Sequence, residues 1–475
     1  MTFSLAIVLF ASLTIRGATE NLQRGVAVKV AGDSICAEHP LPRFYAQRDY
    51  APAWVVDGRL TPVAFALIDA IEHAADHGLR PDDYHIAAIR RARDDELDLL
   101  LTDAFFLLAS HLASGRVDPV SLEPTWCLTA RPIDLVGALE EALDTGDVSD
   151  TLQRIAPAHP QYRLLLDELA RLRAIEEGGG WGQVERGRID QLMARLTISG
   201  DLQGNHTTLD ADVERALRRF QRLHGLAADG VAGARTLAEL NVPAEDRIRQ
   251  IELNLERWRW LPATLGDRYA LVNIPAFHLT VIDQGRVVLE MRIVVGQVMK
   301  RTPVFSTAIT QVVFNPSWFV PDSIASDELW PAQSRDPSYF EREHIEVLGN
   351  GSLRQKPGPW NALGRIKFNM PNRYSVYMHD TPSRTLFGQS VRTFSHGCIR
   401  LEKPGELMQV LLPGEDLARH DDGVERAVDV ASPLPVHILY WTVFADEIGE
   451  LHFVPDVYGR DAALDEAMRK RPDRF

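Results

Sequence analysis

The sequence has few cysteines, no excess of basic residues and no nucleotide-binding motif. Three cysteines in 475 residues exclude a disulfide scaffold and are too few for a zinc ribbon. With 51 basic and 66 acidic residues, the net charge of −15 argues against bulk attraction to nucleic acid. The chain has neither a P-loop nor a dinucleotide-binding glycine fingerprint after a strand, which argues against a nucleotide cofactor.

The composition is that of an ordinary globular protein, with 45% apolar and 25% charged residues. These values exclude collagen, a mostly disordered chain and a polytopic membrane protein. Because a domain usually contains roughly 100–200 residues, the length predicts about two to four domains.

The N-terminus carries an apolar run of 11 residues, Phe3 to Leu13. A membrane span needs about 20 residues, so this run is better sized for a signal peptide. The small residues Gly17 and Ala18 follow it, as a cleavage site requires. We therefore expect residues 1–20 to be a signal peptide or a short membrane anchor, and the protein to be periplasmic. Elsewhere no stretch reads as a membrane span.

Export affects the interpretation of the cysteines, because an oxidising compartment favours disulfides. Cys36 and Cys127 could pair, which would leave Cys398 as an odd thiol. The alternative is that all three are unpaired, with two of them buried.

The chain divides by its hydrophobic pattern. Residues 40–180 are predicted to be helical, with an amphipathic helix at Thr61–Asp76 that Gly78 ends. A connecting helix is predicted at Glu245–Trp260. The pattern then changes to short segments rich in Val, Ile, Thr and Phe, each beside turn residues, which predicts a β domain. These strand predictions are Tyr269–Ile274, His278–Ile282, Val287–Val295, Thr310–Phe314, Tyr374–Met378, Pro435–Val443 and Leu451–Val454.

Residues 186–243 form a small unit of three predicted short helices. Val213, Leu217 and Phe220 share one helical face, Gly225 can close that helix, and Asp229-Gly230 marks a turn. The segment resembles the peptidoglycan-binding repeat. A generic three-helix packing module is the alternative.

The residues best suited to chemistry lie near position 400. Cys398 follows Ser395, His396 and Gly397, and His379 lies 19 residues upstream at the end of a predicted strand. A cysteine is a nucleophile only as a thiolate, which requires a nearby base or a positive field. His379 could supply the base, and Arg400 or the N-terminus of a following helix could supply the field. The amides near Gly397 and Cys398 could hold an oxyanion.

These residues resemble the active-site signature of the L,D-transpeptidases (YkuD-type catalytic domain). The resemblance implies that Cys398 is the nucleophile, that His379 is its base, and that Ser395, His396 and Gly397 shape the acyl site. Where many members have Asn this chain has Arg400, as the larger periplasmic branch does, which leaves one substrate contact open. Tyr377 is a candidate for lining the donor pocket, and strand packing is its alternative role.

Further motifs extend the resemblance over about residues 40–465. It implies a multidomain α+β protein with a helical scaffold domain (40–180), a peptidoglycan-binding-like module (186–243) and a mainly β catalytic domain (265–465). The long polar and aromatic insertion at about 318–368 would then be a substrate-capping subdomain.

The implied activity joins two peptidoglycan stems. A tetrapeptide donor acylates Cys398 with release of D-alanine, and the side-chain amine of a second stem resolves the thioester into a 3→3 cross-link. Neither a metal nor a cofactor is needed, and carbapenems are expected to acylate the thiol. Two alternatives stay open: an L,D-carboxypeptidase or cysteine endopeptidase that uses water or cuts wall peptides, and a catalytically silent wall-binding scaffold protein.

Overall fold

The computed structural model describes residues 14–420 and 422–470. Its N-terminal region is helical with two short hairpins. The helices are α1 (Ile15–Gln23), α2 (Pro40–Gln47), α3 (Pro62–Glu72), α4 (Ile86–Ile89), α5 (Asp94–Ser114), α6 (Pro119–Leu122), α7 (Leu135–Thr145), α8 (Val148–Ile155) and α9 (Pro160–Glu177). The hairpins pair β1 (Lys29–Val30) with β2 (Asp33–Ser34) and β3 (Val55–Val56) with β4 (Arg59–Leu60).

The centre of this scaffold is α5, which is buried on nearly all sides. By length and composition α5 is apolar enough to cross a membrane, contrary to expectation, but 89% of that stretch is buried inside the protein. Its buried Asp98 carboxylate accepts hydrogen bonds from the amides of Ala53, Trp54 and Val55. Because a buried carboxylate needs such partners, Asp98 fixes the path of the neighbouring chain on α5.

The first helix, α1, packs into the same core. Ile15 and Ala18 are buried there, although both fall in the segment expected to be a signal or anchor. The apolar run Phe3–Leu13 lies outside the described residues.

A second buried acidic residue of α5, Asp103, holds the first hairpin through His85. The His85 ring is 2.7 Å from Asp103 through Nε2 and 3.1 Å from Asp33 through Nδ1. Burial lowers the pKa of His85, but its hydrogen bonds and ion pairs with these two carboxylates outweigh burial and raise it overall. The protonated ring therefore ties the hairpin to α5.

This geometry predicts a pH-dependent stability. Because the folded pKa of His85 is raised, its contribution is fully present below the unfolded value of about 6.5 and is lost as pH rises through the folded pKa. Urea unfolding between pH 5.5 and 9 should show a stability advantage of wild type over His85→Gln that shrinks as pH rises. Parallel curves for the two proteins would contradict the assignment.

The predicted three-helix module is confirmed as α10 (Ile189–Ile198), α11 (Ala211–Leu223) and α12 (Ala234–Leu240), and α13 (Ala244–Arg259) follows it. The module has its own apolar cluster, which includes Val213, Leu217 and Phe220. Arg219 and Arg222 on α11 pair with Glu450 at 2.8 and 2.6 Å, which joins the module to the C-terminal domain.

The C-terminal domain is built on one mixed sheet. Its strands are β5 (Arg268–Asn273), β6 (His278–Asp283), β7 (Arg286–Gly296), β8 (Phe305–Phe314), β12 (Ile366–Asn369), β13 (Met378–His379), β14 (Thr393–Ser395), β15 (Ile399–Leu401) and β16 (Arg426–Leu439); the insertion supplies β9 (Trp318–Phe319), β10 (Ile345–Val347) and β11 (Leu353–Gln355). The sheet order is β14-β7-β15-β13-β12-β8-β16-β5-β6, and β7 also pairs with β6. This extra pairing closes the sheet on itself around a buried apolar core.

Three short helices complete the insertion: α14 (Asp322–Ile324), α15 (Trp330–Arg335) and α16 (Tyr339–Arg342). A π-helix, Ala325–Leu329, lies between α14 and α15. With β9–β11 these elements enclose a separate apolar cluster. The insertion is therefore a small subdomain, while Ile366–Asn369 at the end of the predicted segment belongs to the main sheet as β12.

The elements after the active-site region are α17 (Pro404–Leu411), the hairpin of β17 (Val443–Ala445) with β18 (Leu451–Phe453), and α18 (Arg460–Arg469). α17 packs on β16 of the sheet, whereas β17 contacts α9 of the scaffold and α18 packs with the scaffold residue Val117. The predicted multidomain α+β organisation is confirmed.

One strand prediction is wrong, and one of the two alternatives for the cysteines is excluded. The predicted strand Tyr374–Met378 is a loop until Met378, because the Asn372 side chain bonds the amides of Tyr374 and Val376 and the carbonyl of Val376. No disulfide joins Cys36 to Cys127: Cys36 is half-buried and Cys127 is exposed.

Candidate active site

The catalytic candidates lie on or directly beside three neighbouring strands, β12, β13 and β15. Lys367 on β12 is opposite His379 on β13, and His379 is opposite Arg400 on β15. The β13–β15 pair is parallel, and the Ile399 amide donates to the Tyr377 carbonyl at 3.1 Å. Side chains two residues apart face the same side of a sheet, so Tyr377 and Cys398 form a second row beside the first. The structure thus brings His379 and Cys398 together as diagonal neighbours.

The backbone carbonyl of the next residue, Asp380, determines which ring nitrogen of His379 carries the hydrogen. His379 is 5% exposed, and its Nδ1 lies 2.6 Å from the Asp380 carbonyl oxygen. A carbonyl can only accept, so Nδ1 carries the hydrogen and Nε2 keeps a lone pair. Asp380 is itself held, since its carboxylate accepts from the Arg365 amide at 2.9 Å. Burial lowers the pKa of His379 to about 3, and the positive charge of Arg400 adds to the effect. The ring is a neutral base at pH 7.

Cys398 is a protonated thiol in this setting. Burial raises its pKa, while hydrogen bonding from Tyr377 and the charges of Lys367 and Arg400 oppose the rise. The expectation that a following helix would lower this pKa is wrong, because β15 begins directly after Cys398. The site therefore resembles a general-base arrangement more than a thiolate–imidazolium pair.

The Ser395–Cys398 turn is locked by its own polar groups. The Ser395 hydroxyl donates to the Cys398 carbonyl at 2.6 Å and accepts the Gly397 amide at 3.1 Å. Gly397 has φ +114°, a conformation that L-residues with a side chain rarely adopt. Its amide is thus not free for an oxyanion, which corrects part of the expectation. Among the described residues the Cys398 amide has no hydrogen-bond acceptor, so it is the remaining donor of the pair.

The Tyr377 ring lies beside Lys367 and His379 and borders the Cys398 thiol. Its ring centroid is 5.6 Å from that of His379, and Lys367 Nζ lies 4.3 Å from the Tyr377 centroid. Burial raises the pKa of the Tyr377 phenol and Cys398 adds to the rise, whereas hydrogen bonding from Trp318 opposes it. Both roles considered for Tyr377 fit: it packs on the strands and it borders the thiol.

The inserted subdomain contacts the Ser395–Cys398 turn. Glu328, on its π-helix, reaches His396 Nε2 at 2.5 Å. Lys300 Nζ lies 3.8 Å from the same carboxylate. The inserted subdomain is therefore joined to the turn that carries the candidate nucleophile by a hydrogen bond between Glu328 and the predicted site residue His396.

Three parts of the chain match known family models. Residues 267–436 match the family model described as "L,D-transpeptidase catalytic domain". Residues 39–169 match "Scaffold domain", and residues 185–240 match "Putative peptidoglycan binding domain". The C-terminal domain is thus similar to the L,D-transpeptidase catalytic domain.

A curated Haemophilus influenzae protein described as "Putative L,D-transpeptidase" is 31% identical over 245 residues, which cover 46% of this chain and 49% of that protein. The match thus spans about half the length of that relative. Among solved structures, an L,D-transpeptidase from Mycobacterium smegmatis is 17% identical with a TM-score of 0.22, over 36% of this chain and 58% of that one. One from Xylanimonas cellulosilytica is 15% identical with a TM-score of 0.21, over 55% of this chain and 96% of that one.

The C-terminal domain braces its candidate active-site turn through residues that the sequence pattern did not single out. The buried Thr302 hydroxyl donates to the Gly397 carbonyl at 2.9 Å and accepts from the Gly296 amide at 2.9 Å. The Tyr458 hydroxyl donates to the Gly296 carbonyl at 2.6 Å. Thr302 lies in a Thr-Pro-Val segment that by itself indicates no contact with the turn, and Tyr458 lies 60 residues from Cys398 in the chain.

Replacing Thr302 by Val should misplace the turn. The Gly397 carbonyl loses its buried donor, so we expect Cys398 acylation to slow by about tenfold to a hundredfold while the protein stays folded. The measurement is the second-order rate of acylation, with circular dichroism as the folding check. Thr151→Val is the matched control, since this buried hydroxyl also donates to a carbonyl, that of Asp147, but lies in the scaffold. Equal rates in both variants would show that Thr302 does not position the turn.

The titration state of the site predicts a simple pH profile. Because burial raises the thiol pKa and lowers that of His379 to about 3, alkylation of Cys398 by iodoacetamide should keep rising above pH 8.5. No step should appear near the ordinary histidine pKa of about 6.5. A rate that is flat from pH 5 to 8 would instead indicate a thiolate–imidazolium pair.

Proposed function

We propose that this protein is a peptidoglycan L,D-transpeptidase that forms 3→3 cross-links through a Cys398 thioester. One observation carries the proposal: a neutral histidine whose Nε2 is left with the lone pair lies diagonally beside Cys398 on paired parallel strands of an L,D-transpeptidase domain. This is the arrangement that general-base activation of a thiol requires.

The first step acylates the enzyme. His379 Nε2 takes the thiol proton as Cys398 Sγ bonds to the carbonyl carbon between the third, diamino-acid residue and the terminal D-alanine. The Cys398 amide donates to the developing oxyanion; removing one such donor commonly costs about 10²–10³ in rate. When the C–N bond breaks, His379 returns the proton to the departing amine. D-alanine leaves, and the stem remains as a thioester.

The second step transfers the stem. The side-chain amine of another stem attacks the thioester carbonyl, and His379 Nε2 takes a proton from it. The C–S bond then breaks, the sulfur recovers the proton from His379, and an amide cross-link is released. Water in place of the amine would give a carboxypeptidase. The cap held by Glu328 and His396 supports transfer over hydrolysis, because it restricts water above the thioester.

The other domains fit the same function. The module at 185–240 matches a peptidoglycan-binding family, so we propose that it contributes wall binding. Because the stems lie outside the cytoplasmic membrane, the proposal includes export to the periplasm. The N-terminal apolar run of the sequence supports it.

The nucleophile assignment predicts covalent capture by a carbapenem. Intact mass spectrometry should show one adduct on wild type and none on Cys398→Ala, because Cys398 has His379 beside it as a base. Cys127→Ala is the matched control and should keep the adduct. Wild type incubated with tetrapeptide-bearing muropeptides should give 3→3 dimers by liquid chromatography and mass spectrometry.

An adduct on Cys398→Ala would refute the nucleophile assignment. Tripeptides without dimers would identify the protein as a carboxypeptidase. A folded wild type that forms neither adduct nor product would favour the silent wall-binding protein.

A further inference from the structure

Two cations beside the thiol have no anionic partner. Among residues 14–420 and 422–470, neither Lys367 nor Arg400 makes a side-chain hydrogen bond or an ion pair, and Arg400 Nε is fully buried without an acceptor. Glu425 acts on the pKa of Lys367 only through space, and its Oε2 already accepts from the Ser317 amide at 3.1 Å. Two uncompensated, partly buried charges are unusual unless an anion joins them.

The register of β12, β13 and β15 places both charges beside the reaction centre. Lys367 and Arg400 stand opposite His379 on its two sides, and both act electrostatically on Cys398. Burial lowers the pKa of each cation, while the proximity of Cys398 raises it. The site therefore holds two positive charges around one thiol.

The net charge of the site would be balanced by one further anion. A thiolate would neutralise one of the two cations, and His379 is neutral. The surplus charge matches a single carboxylate placed within a few bonds of the carbon that Sγ attacks. In the proposed donor, the terminal carboxylate is separated from the scissile carbonyl only by the amide nitrogen and one α-carbon.

We propose that Lys367, together with Arg400, binds the free terminal carboxylate of the donor stem and so selects a donor whose leaving residue ends in a carboxylate. This inference rests on the proposed function for the identity of the donor. Lys367 is then a substrate-binding residue, and the subsite empties when the leaving residue departs with its carboxylate.

The test compares two reagents that alkylate Cys398 by the same displacement of iodide. Iodoacetate carries a carboxylate one carbon from the bond that forms, and iodoacetamide carries a neutral amide there. Rates are measured at the Cys398 peptide by mass spectrometry, and the iodoacetate/iodoacetamide ratio cancels any change in thiolate fraction. We expect Lys367→Met to lower this ratio by about threefold to tenfold, and Lys367→Arg to retain most of it.

Lys403→Met is the control, because Lys403 belongs to the same domain but pairs at its surface with Glu406 at 3.9 Å. Its ratio should equal that of wild type. Arg400→Met should lower the ratio as Lys367→Met does, which guards against misfolding of one variant. If Lys367→Met slows both reagents equally, Lys367 only stabilises the thiolate and the proposal is overturned.

A comparison of two donor peptides extends the test to the substrate. Wild type should release the terminal residue faster from a tetrapeptide with a free carboxylate than from its carboxamide, and Lys367→Met should lose that preference mainly through KM. If the alkylation ratio responds but wild type turns over neither donor, the anion subsite stands and the proposed function fails. If both donors are turned over with a preference that Lys367→Met leaves unchanged, the function stands and the carboxylate subsite fails.

Discussion

The parallel pairing of β13 with β15 is the constraint on which the active site depends. It aligns His379 with Arg400 and sets Cys398 beside Tyr377, so base, nucleophile and one cation come from two strands of the same sheet. A one-residue slip would turn Cys398 to the opposite face. The register is held on both sides, because β12 pairs with β13 and β7 pairs with β15. The closed sheet therefore specifies the chemistry as well as the core.

The electrostatics of the site follow from this placement. Burial favours the neutral forms of both His379 and Cys398, so the pair holds one transferable proton and no net charge. Lys367 and Arg400 do not make the thiol acidic enough to ionise alone; they favour negative charge once it forms there. The tetrahedral intermediate of acylation carries such a charge. Cations placed in advance stabilise it without reorganisation, which is how electrostatic preorganisation contributes to catalysis.

Much of the site was predictable from sequence because its chemistry depends on rare residue types in a short box. Cys398, His379 and Gly397 were recognised from their resemblance to a family signature, and the three module helices from turn residues and apolar periodicity. Lys367 was not among the candidate site residues, since a lysine in a strand is most often a solvated residue. Its position beside His379 and Arg400 is known only once the pairing of β12, β13 and β15 is known.

Other features depended on contacts that no local pattern encodes. The strand expected before Met378 is replaced by a loop because the Asn372 amide competes for backbone hydrogen bonds. The thiol pKa was misjudged because burial, a property of the folded domain, outweighs the charge of Arg400. The contact of Glu328 with His396 spans 68 residues of chain and joins two subdomains.

The bracing of the turn reaches as far as the scaffold. The hydroxyl of Tyr458 holds Gly296, and its amide donates a hydrogen bond to the Tyr440 hydroxyl at 2.8 Å. Arg460, two residues later, pairs with Glu123 of the scaffold at 2.9 Å. The scaffold residue Thr125 also donates to the Val304 carbonyl at 2.8 Å, beside Thr302. The loop that supports the Gly397 carbonyl is thus fixed from the helical domain, so the scaffold contributes to the geometry of a turn that it does not itself contain. A fragment limited to the residues that match the catalytic-domain model, 267–436, would lack both Tyr458 and this support.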